Sequence, residues 1–127
     1  MKKIEMIVER TNTGYSAYAT NYPVVTVGAN LDELKANMLE ASNLYLEEMD
    51  KAPIEADSIK VTLDLPQFFE FYKVINAKAL SERIGMNQSL LAQYITGQKK
   101  PSAKQVDRIL EGVRSVGREL SEIDLLR

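Results

Sequence analysis

Four polar side chains lie close together in the stretch MNQSLLAQYITG, namely Asn87, Gln88, Ser89 and Gln93. An Asn or Gln amide carries a hydrogen-bond donor beside an acceptor, the pair that matches N6 and N7 of adenine in the major groove of DNA. We therefore expect Gln88 and Gln93 to contact base edges. Asn87 and Ser89, at the start of the same stretch, are expected to contact bases or phosphates.

Four lysines flank this stretch and suit contacts with phosphate: Lys78, Lys99, Lys100 and Lys104. A lysine neutralises a phosphate as a point charge and positions a protein on the DNA backbone without reporting its sequence. A single Gln or Lys is common on any exposed helix. The hypothesis therefore depends on the elements that hold these side chains.

Residues 76–97 are typical of two short helices joined by a tight turn at Gly85, a helix-turn-helix. Ser81 and Gly85 are small, as two closely crossing helices require. Asn87 is expected to cap the second helix through its side-chain oxygen. A helix-turn-helix can also serve as a protein-binding module, which remains an alternative. The apolar contacts between the helices are expected from Leu80, Ile84, Met86, Leu91 and Tyr94.

A further helix is predicted after Gly97 and Pro101, with Ser102 at its start. Residues 119–127 have two interpretations. The three-residue spacing of Leu120, Ile123 and Leu126 favours a helix, but the segment is short enough to be an extended arm that pairs with another subunit. The face of the predicted helix that packs on the preceding pair carries Val106, Ile109, Leu110 and Val113.

Three alternating stretches near the start of the chain predict an antiparallel meander. The first strand is expected from Lys2 to Glu9 and the third from Val24 to Val27. One face of this sheet must be covered by another element. The apolar positions of the first two strands are Ile4, Met6, Val8, Tyr15, Ala17 and Ala19.

A long helix is predicted to cover that face. Asn30 followed by Glu33 resembles a capping box, and the helix is expected to reach about Met49. Residues 59–65 alternate again and predict a fourth strand, which gives an α+β protein with a β-β-β-α-β domain. The apolar stripe of the helix is expected at Leu31, Leu34, Met38, Ala41 and Tyr45.

Pro66 ends the fourth strand and suits the first turn of a helix. We place the domain boundary here, with residues 1–65 as the sheet-and-helix domain and residues 66–127 as the all-α domain. All three phenylalanines of the chain follow this boundary. We expect their helix to supply the core of the all-α domain; a ligand-binding aromatic cluster is the alternative.

Composition narrows the functions that are possible. The 127 residues include no Cys and no His, which excludes a disulfide, a thiolate nucleophile, an imidazole base and an ordinary zinc site. We expect no metal and no cofactor. No stretch approaches the roughly 20 apolar residues of a membrane span, and a cytoplasmic location is expected.

The net charge of −2 is unevenly distributed. Residues 1–74 carry 7 Lys or Arg against 12 Asp or Glu, a net charge of −5, whereas residues 75–127 carry 9 against 6, a net charge of +3. The acidic side chains of the predicted long helix form either a solvated face or a docking surface for a basic partner.

Both parts of the chain resemble known families. GMNQSLLAQYITGQKKPS is similar to the Xre/Cro type of DNA-binding domain, with Gly85, Leu91, Gly97 and Pro101 in family positions. The front part resembles HicB antitoxins, whose fold is related to a degenerate ribonuclease H domain. The matching features are MKKIEMIVER, the Gly14-Tyr15 pair, Pro23, Gly28 and NLDELKANMLEASNLYLEEM.

The resemblance implies an antitoxin with no catalysis of its own. The front domain is expected to sequester a basic, mRNA-cleaving HicA-type toxin, and the rear domain to repress the operon as a homodimer or higher oligomer on double-stranded operator DNA. One alternative is a one-component regulator whose front domain senses a ligand. Another is a metal-dependent nuclease that uses Asp57, Asp64 and Glu70, which lack a convincing spacing.

Overall fold

The computed structural model of the chain describes residues 3–125 and shows the expected α+β architecture. The chain divides into two compact units, Met1–Phe71 and Tyr72–Arg127. We call them the sheet unit and the helical unit. Lys2, expected in the first strand, and Leu126, expected near the chain end, lie outside the described residues.

The sheet unit contains four strands in the order β3-β2-β1-β4. The hairpins β1-β2 and β2-β3 are antiparallel, whereas β4 is parallel to β1 because a helix carries the chain across the sheet before β4 begins. The predicted β-β-β-α-β order is therefore confirmed. The strands are β1 (Ile4–Thr11), β2 (Gly14–Ala19), β3 (Val25–Gly28) and β4 (Ile59–Leu63).

The alternation in β1 and β2 separates buried from exposed side chains as expected. Met6 is paired with Ala19 and Val8 with Ala17 across the hairpin, and all four side chains are buried on the same face. A strand directs successive side chains to opposite faces, so this register places every second residue in the core.

Helix α1 (Leu31–Glu48) covers that face. The Asn30 side chain caps it by accepting a hydrogen bond from the Glu33 backbone N–H at 2.9 Å. The predicted stripe was wrong at Leu31, which is 48% exposed. The predicted Ala41 and Tyr45 are half-buried and pack against the core. Fully buried side chains of the helix recur every four residues. They are Leu34, Met38, Ser42 and Leu46.

Helix α2 (Leu65–Phe71) follows β4 after a single residue and belongs to the sheet unit. The Gln67 side chain accepts from the Arg10 backbone N–H at 2.8 Å and donates to the Arg10 carbonyl at 2.5 Å. The Arg10 guanidinium lies 5.0 Å from the centre of the Phe71 ring. The division between units thus falls after residue 71 rather than after residue 65, because these contacts tie α2 to β1.

The helical unit contains α3 (Ala77–Ile84), α4 (Gln88–Thr96) and α5 (Ala103–Ser121). Residues 119–121 continue α5, so the helical interpretation of the chain end holds as far as Ser121. No helix within residues 3–125 has the length and apolarity to cross a membrane. The buried apolar side chains of this unit are Leu80, Met86, Leu91, Tyr94 and Ile109.

Candidate nucleic-acid interface

The turn between α3 and α4 is built on Gly85, whose φ of 67° lies in the left-handed region. The Gly85 N–H donates to the Glu82 carbonyl at 3.3 Å, and the Met86 N–H donates to the Ser81 carbonyl at 2.9 Å. This pair of bonds is a Schellman motif, which satisfies carbonyls at the end of α3. The chain can therefore leave α3 and begin α4 after three residues.

The space around the turn corrects one expectation. A Cβ atom on Gly85 would meet nothing nearer than the Arg108 guanidinium at 3.7 Å, so Gly85 is required by its φ and not by close helix packing. The close approach occurs at Gly112, where a Cβ atom would lie 2.3 Å from Cγ2 of Ile84. Glycine at position 112 is what allows α5 to pack against α3.

Asn87 caps α4 as predicted. Its side-chain oxygen accepts hydrogen bonds from the backbone N–H groups of Ser89 at 2.8 Å and Leu90 at 3.2 Å. These bonds occupy the oxygen, so a DNA contact by Asn87 is left to the amide nitrogen. The residue therefore fixes the start of α4 and has a narrower role at a DNA surface than Gln88 or Gln93.

The exposed face of α4 collects the other predicted base contacts. Gln88, Ser89 and Gln93 are all exposed, whereas Leu91 and Tyr94 turn into the core. Ala92 and Thr96 lie on the same exposed face, and the sequence analysis did not include them. The sequence contained a signal for both, because residues three and four apart share a helix face and Ala92 and Thr96 follow Gln88 at intervals of four residues. A methyl group such as that of Ala92 can contact thymine.

The four predicted phosphate contacts are exposed side chains at helix starts or next to α4. Lys78 and Lys104 occupy the second positions of α3 and α5. Lys99 and Lys100 lie in the loop after α4, and the Lys99 backbone N–H donates to the Gln93 carbonyl at 3.2 Å. The start of this loop is thus attached to the same helix that carries the polar face.

Arg108 was missed by the sequence analysis. Its Nη2 donates to the carbonyl oxygens of Ile84 at 2.9 Å and Gly85 at 2.7 Å. Arg108 lies one helical turn after Lys104, and this spacing was the only signal in the sequence. The contact connects α5 to the turn that positions α4.

Other arginines of α5 are engaged with acidic side chains. Arg118 donates to Glu111 at 2.9 Å and Arg114 donates to Glu111 at 3.1 Å. These hydrogen bonds, that from Arg118 most strongly, hold the pKa of Glu111 below its usual value. Both arginines are therefore partly neutralised.

The sheet unit presents a second candidate surface around Leu44 of α1, which is 58% exposed. Leu44 lines two shallow hollows of about 430 and 310 Å³. Glu40 and Glu47 line the first hollow and Glu48 lines the second. We call these four residues the Leu44 surface; its three carboxylates lie around an apolar side chain, and Lys51 also lines the first hollow.

The carboxylates considered for a nuclease have separate surroundings. Asp64 accepts a hydrogen bond from the Gln67 backbone N–H at 3.0 Å and so caps α2. Asp57 lies in a short 3-10 turn, Ala56–Ser58, and Glu70 lies in α2. Within residues 3–125, no group of three or more acidic side chains is placed to hold a metal ion.

No protein-family model, curated protein or solved structure matches this chain. The resemblance of the rear part is thus carried by individual residues, and their geometry gives physical reasons for three of them. Gly85 and Gly97 both have positive φ, 67° and 81°, and end α3 and α4. Leu91 is completely buried.

Proposed function

We propose that this chain is a HicB-type antitoxin that represses its own operon by sequence-specific DNA binding and neutralises a HicA-type mRNA-cleaving toxin. The observation that carries the proposal is the capped start of α4, where Gln88, Ser89 and Gln93 form one exposed polar face beside Lys99. The chain performs no catalysis and needs no cofactor in this role. It acts in the cytoplasm, where its DNA and its toxin are found.

The DNA-binding half of the proposal follows from the shape and chemistry of α4. The major groove admits one α-helix, and the N-terminal residues of a recognition helix contact its base edges. Gln88 and Gln93 supply paired donors and acceptors, while the neighbouring lysines supply backbone contacts. Two copies would present two such helices to half-sites roughly 34 Å apart on one face of the duplex.

The toxin-binding half is supported by the charge of the sheet unit and by the Leu44 surface. Residues 1–71 carry 6 Lys or Arg against 12 Asp or Glu, a net charge of −6. Negative charge attracts a basic protein and accelerates its association, whereas an apolar anchor such as Leu44 contributes to the lifetime of the complex. A basic toxin that presents a small apolar side chain to the hollows beside Leu44 fits this combination.

Co-expression with the small protein encoded by the adjacent gene tests the toxin assignment. The intact chain should abolish growth arrest. Leu44→Arg should allow growth arrest to return, because its positive charge would repel the basic toxin from the Leu44 surface. Leu31→Arg, at another partly exposed leucine of α1, is the matched control and should still protect the cells. Pull-down of the two proteins provides the same comparison without growth as the readout.

Growth arrest that persists in the presence of abundant, folded antitoxin would contradict the toxin assignment. Release of DNA by a small molecule, without a toxin gene nearby, would instead favour the one-component regulator.

A further inference from the structure

The two edges of the sheet differ in whether another strand can pair with them. Strand β3 forms one edge and β4 forms the other. Strand β3 has only four residues, and the Asn37 side chain of α1 donates a hydrogen bond to the Val27 carbonyl at 2.8 Å. A short strand whose backbone is already bonded by a side chain is a poor template for pairing. The β3 edge is therefore closed at Val27.

The β4 edge is open. The Asp64 N–H donates to the Val8 carbonyl at 3.0 Å, and Leu63 is the register partner of Val8. In a parallel ladder, alternate residues of a strand bond to the same neighbour. The N–H and C=O groups of Val61 and Leu63 therefore point away from β1, toward the open edge of the sheet. These are the groups to which a further strand would bond.

Val61 is an exposed apolar side chain at the centre of this edge. It is 52% exposed, although its register partner Met6 is completely buried. Residues that are paired across a sheet lie on the same face. Val61 therefore continues the core-facing side of the sheet to a position that the chain leaves partly uncovered. A strand beside β4 would bring a side chain against Val61 and extend the buried face.

The charge around β4 indicates which kind of strand fits. Residues 55–64 carry three acidic side chains against one basic, a net charge of −2. The basic side chain, Lys60, lies 3.9 Å from the Glu5 carboxylate. Opposite charges across a strand pair are favourable and like charges are unfavourable, so the edge favours a basic strand. The acidic side chains, two exposed and one half-buried, are Glu55, Asp57 and Asp64.

A second copy of the chain fits this edge poorly. An antiparallel pairing of two β4 strands centred on Val61 would place Asp64 of each copy opposite Ser58 of the other, next to Asp57. Like charges would then meet at both ends of the pair and oppose association. A strand with basic side chains at the same places would meet opposite charge.

We propose that β4 is a docking edge at which a basic partner protein adds an extended segment as a fifth strand. The backbone groups of Val61 and Leu63 bond to this segment, and Val61 contacts its apolar side chains. The inference rests on the proposed function for the identity of the partner, which is the toxin. The contact is additional to the Leu44 surface and does not replace it.

Titration calorimetry of the full chain with the small protein encoded by the adjacent gene tests the edge. Val61→Pro removes an N–H that the ladder with β1 does not use, and should raise the dissociation constant about tenfold. Val61→Lys keeps the N–H but places a positive charge on the edge, and should also weaken binding. Val61→Thr keeps the N–H and a β-branched side chain, and should bind nearly as well as the wild type. Val74→Lys adds the same charge to an exposed valine of the helical unit and should leave the affinity unchanged.

Amide exchange measured by nuclear magnetic resonance distinguishes strand addition from a side-chain contact. Binding should slow the exchange of the Val61 and Leu63 amides, which point outward in the free chain. The Thr62 amide, which the ladder directs to β1, is the internal control and should be protected with and without the partner. Val61→Pro should keep the wild-type circular dichroism spectrum, because no bond between β1 and β4 is lost.

The possible failures are distinguishable. Wild-type affinity in both Val61→Pro and Val61→Lys, or unprotected Val61 and Leu63 amides in the complex, would overturn the docking edge and leave the toxin assignment standing. A wild type that does not bind the toxin would overturn both. Loss of self-association in Val61→Pro, with toxin affinity unchanged, would assign the edge to a second copy and overturn the inference.

Discussion

The guanidinium of Arg108 donates a hydrogen bond to the carbonyl oxygen of Gly85 at 2.7 Å, across the turn between α3 and α4. The same nitrogen donates to the Ile84 carbonyl at 2.9 Å. Both carbonyls lie at the C-terminal end of α3, where the helix dipole concentrates negative charge. Arg108 therefore connects α5 to the turn that precedes α4.

Loss of this contact should destabilise the helical unit. We expect Arg108→Ala to lower the free energy of unfolding by about 1 kcal/mol, because two carbonyls lose a charged donor at a helix end. Arg108→Lys keeps the charge and can replace part of the contact, so it should lower the free energy of unfolding by less than Arg108→Ala. Urea unfolding followed by circular dichroism measures both values, and an unchanged midpoint for Arg108→Ala would show that the contact contributes nothing.

Gly112 should be sensitive to the smallest side chain. We expect Gly112→Ala to cost about 1–3 kcal/mol, because its methyl group would lie 2.3 Å from Cγ2 of Ile84 and force α3 and α5 apart. Ile84→Ala removes the clashing carbon. A double-mutant cycle should therefore give a smaller loss for the pair than the sum of the single losses, and additive losses would contradict the packing described here.

The sequence predicted what depends on local periodicity and capping. Alternation identified the buried face of β1 through Met6 and Val8, and the side chains of Asn30 and Asn87 were recognised as caps. These features need only neighbouring residues. The helical stripe of α1 was less accurate, because the residues that a sheet covers depend on how the helix lies across it, which is why Leu31 was misplaced.

Features that depend on pairing between distant residues were not predicted. The helix that carries the phenylalanines was predicted to supply the core of the all-α domain, but α2 belongs to the sheet unit. The contacts of Gln67 with Arg10 that attach it there join positions 57 residues apart. The roles of Gly112 and Arg108 likewise require the packing of α5 against the α3-α4 turn. At the candidate site, the sequence identified the polar residues of α4 but did not identify Arg108, which holds the turn before that helix.

Asn87 allows capping to be separated from DNA contact. We expect Asn87→Ala to lower stability by about 1 kcal/mol through loss of the cap. Asn87→Asp should retain the cap, because a carboxylate accepts the same two N–H groups, but its negative charge should weaken binding to all DNA by repulsion from phosphate. Unfolding curves and fluorescence anisotropy with labelled DNA test the two effects. Equal DNA binding by the wild type and Asn87→Asp would place this turn away from the DNA backbone.

Lys99 is expected to contribute charge rather than sequence preference. Lys99→Ala should weaken operator and unrelated DNA by the same factor and should reduce the slope of log affinity against log salt by about 1. Lys51→Ala, in the loop after α1 of the sheet unit, removes the same charge elsewhere and should leave the slope unchanged. A selective loss on the operator alone would assign Lys99 to base contact instead.

Competition binding with Gln88→Ala tests the central claim, that the start of α4 distinguishes bases. The DNA upstream of the chain's own gene and a shuffled version of it should be titrated against wild-type and variant protein at the same salt concentration. We predict that Gln88→Ala costs about 1–3 kcal/mol on the upstream DNA and leaves binding to the shuffled DNA nearly unchanged. Equal losses on both DNAs, or no preference by the wild type, would contradict the assignment of α4 as a recognition helix.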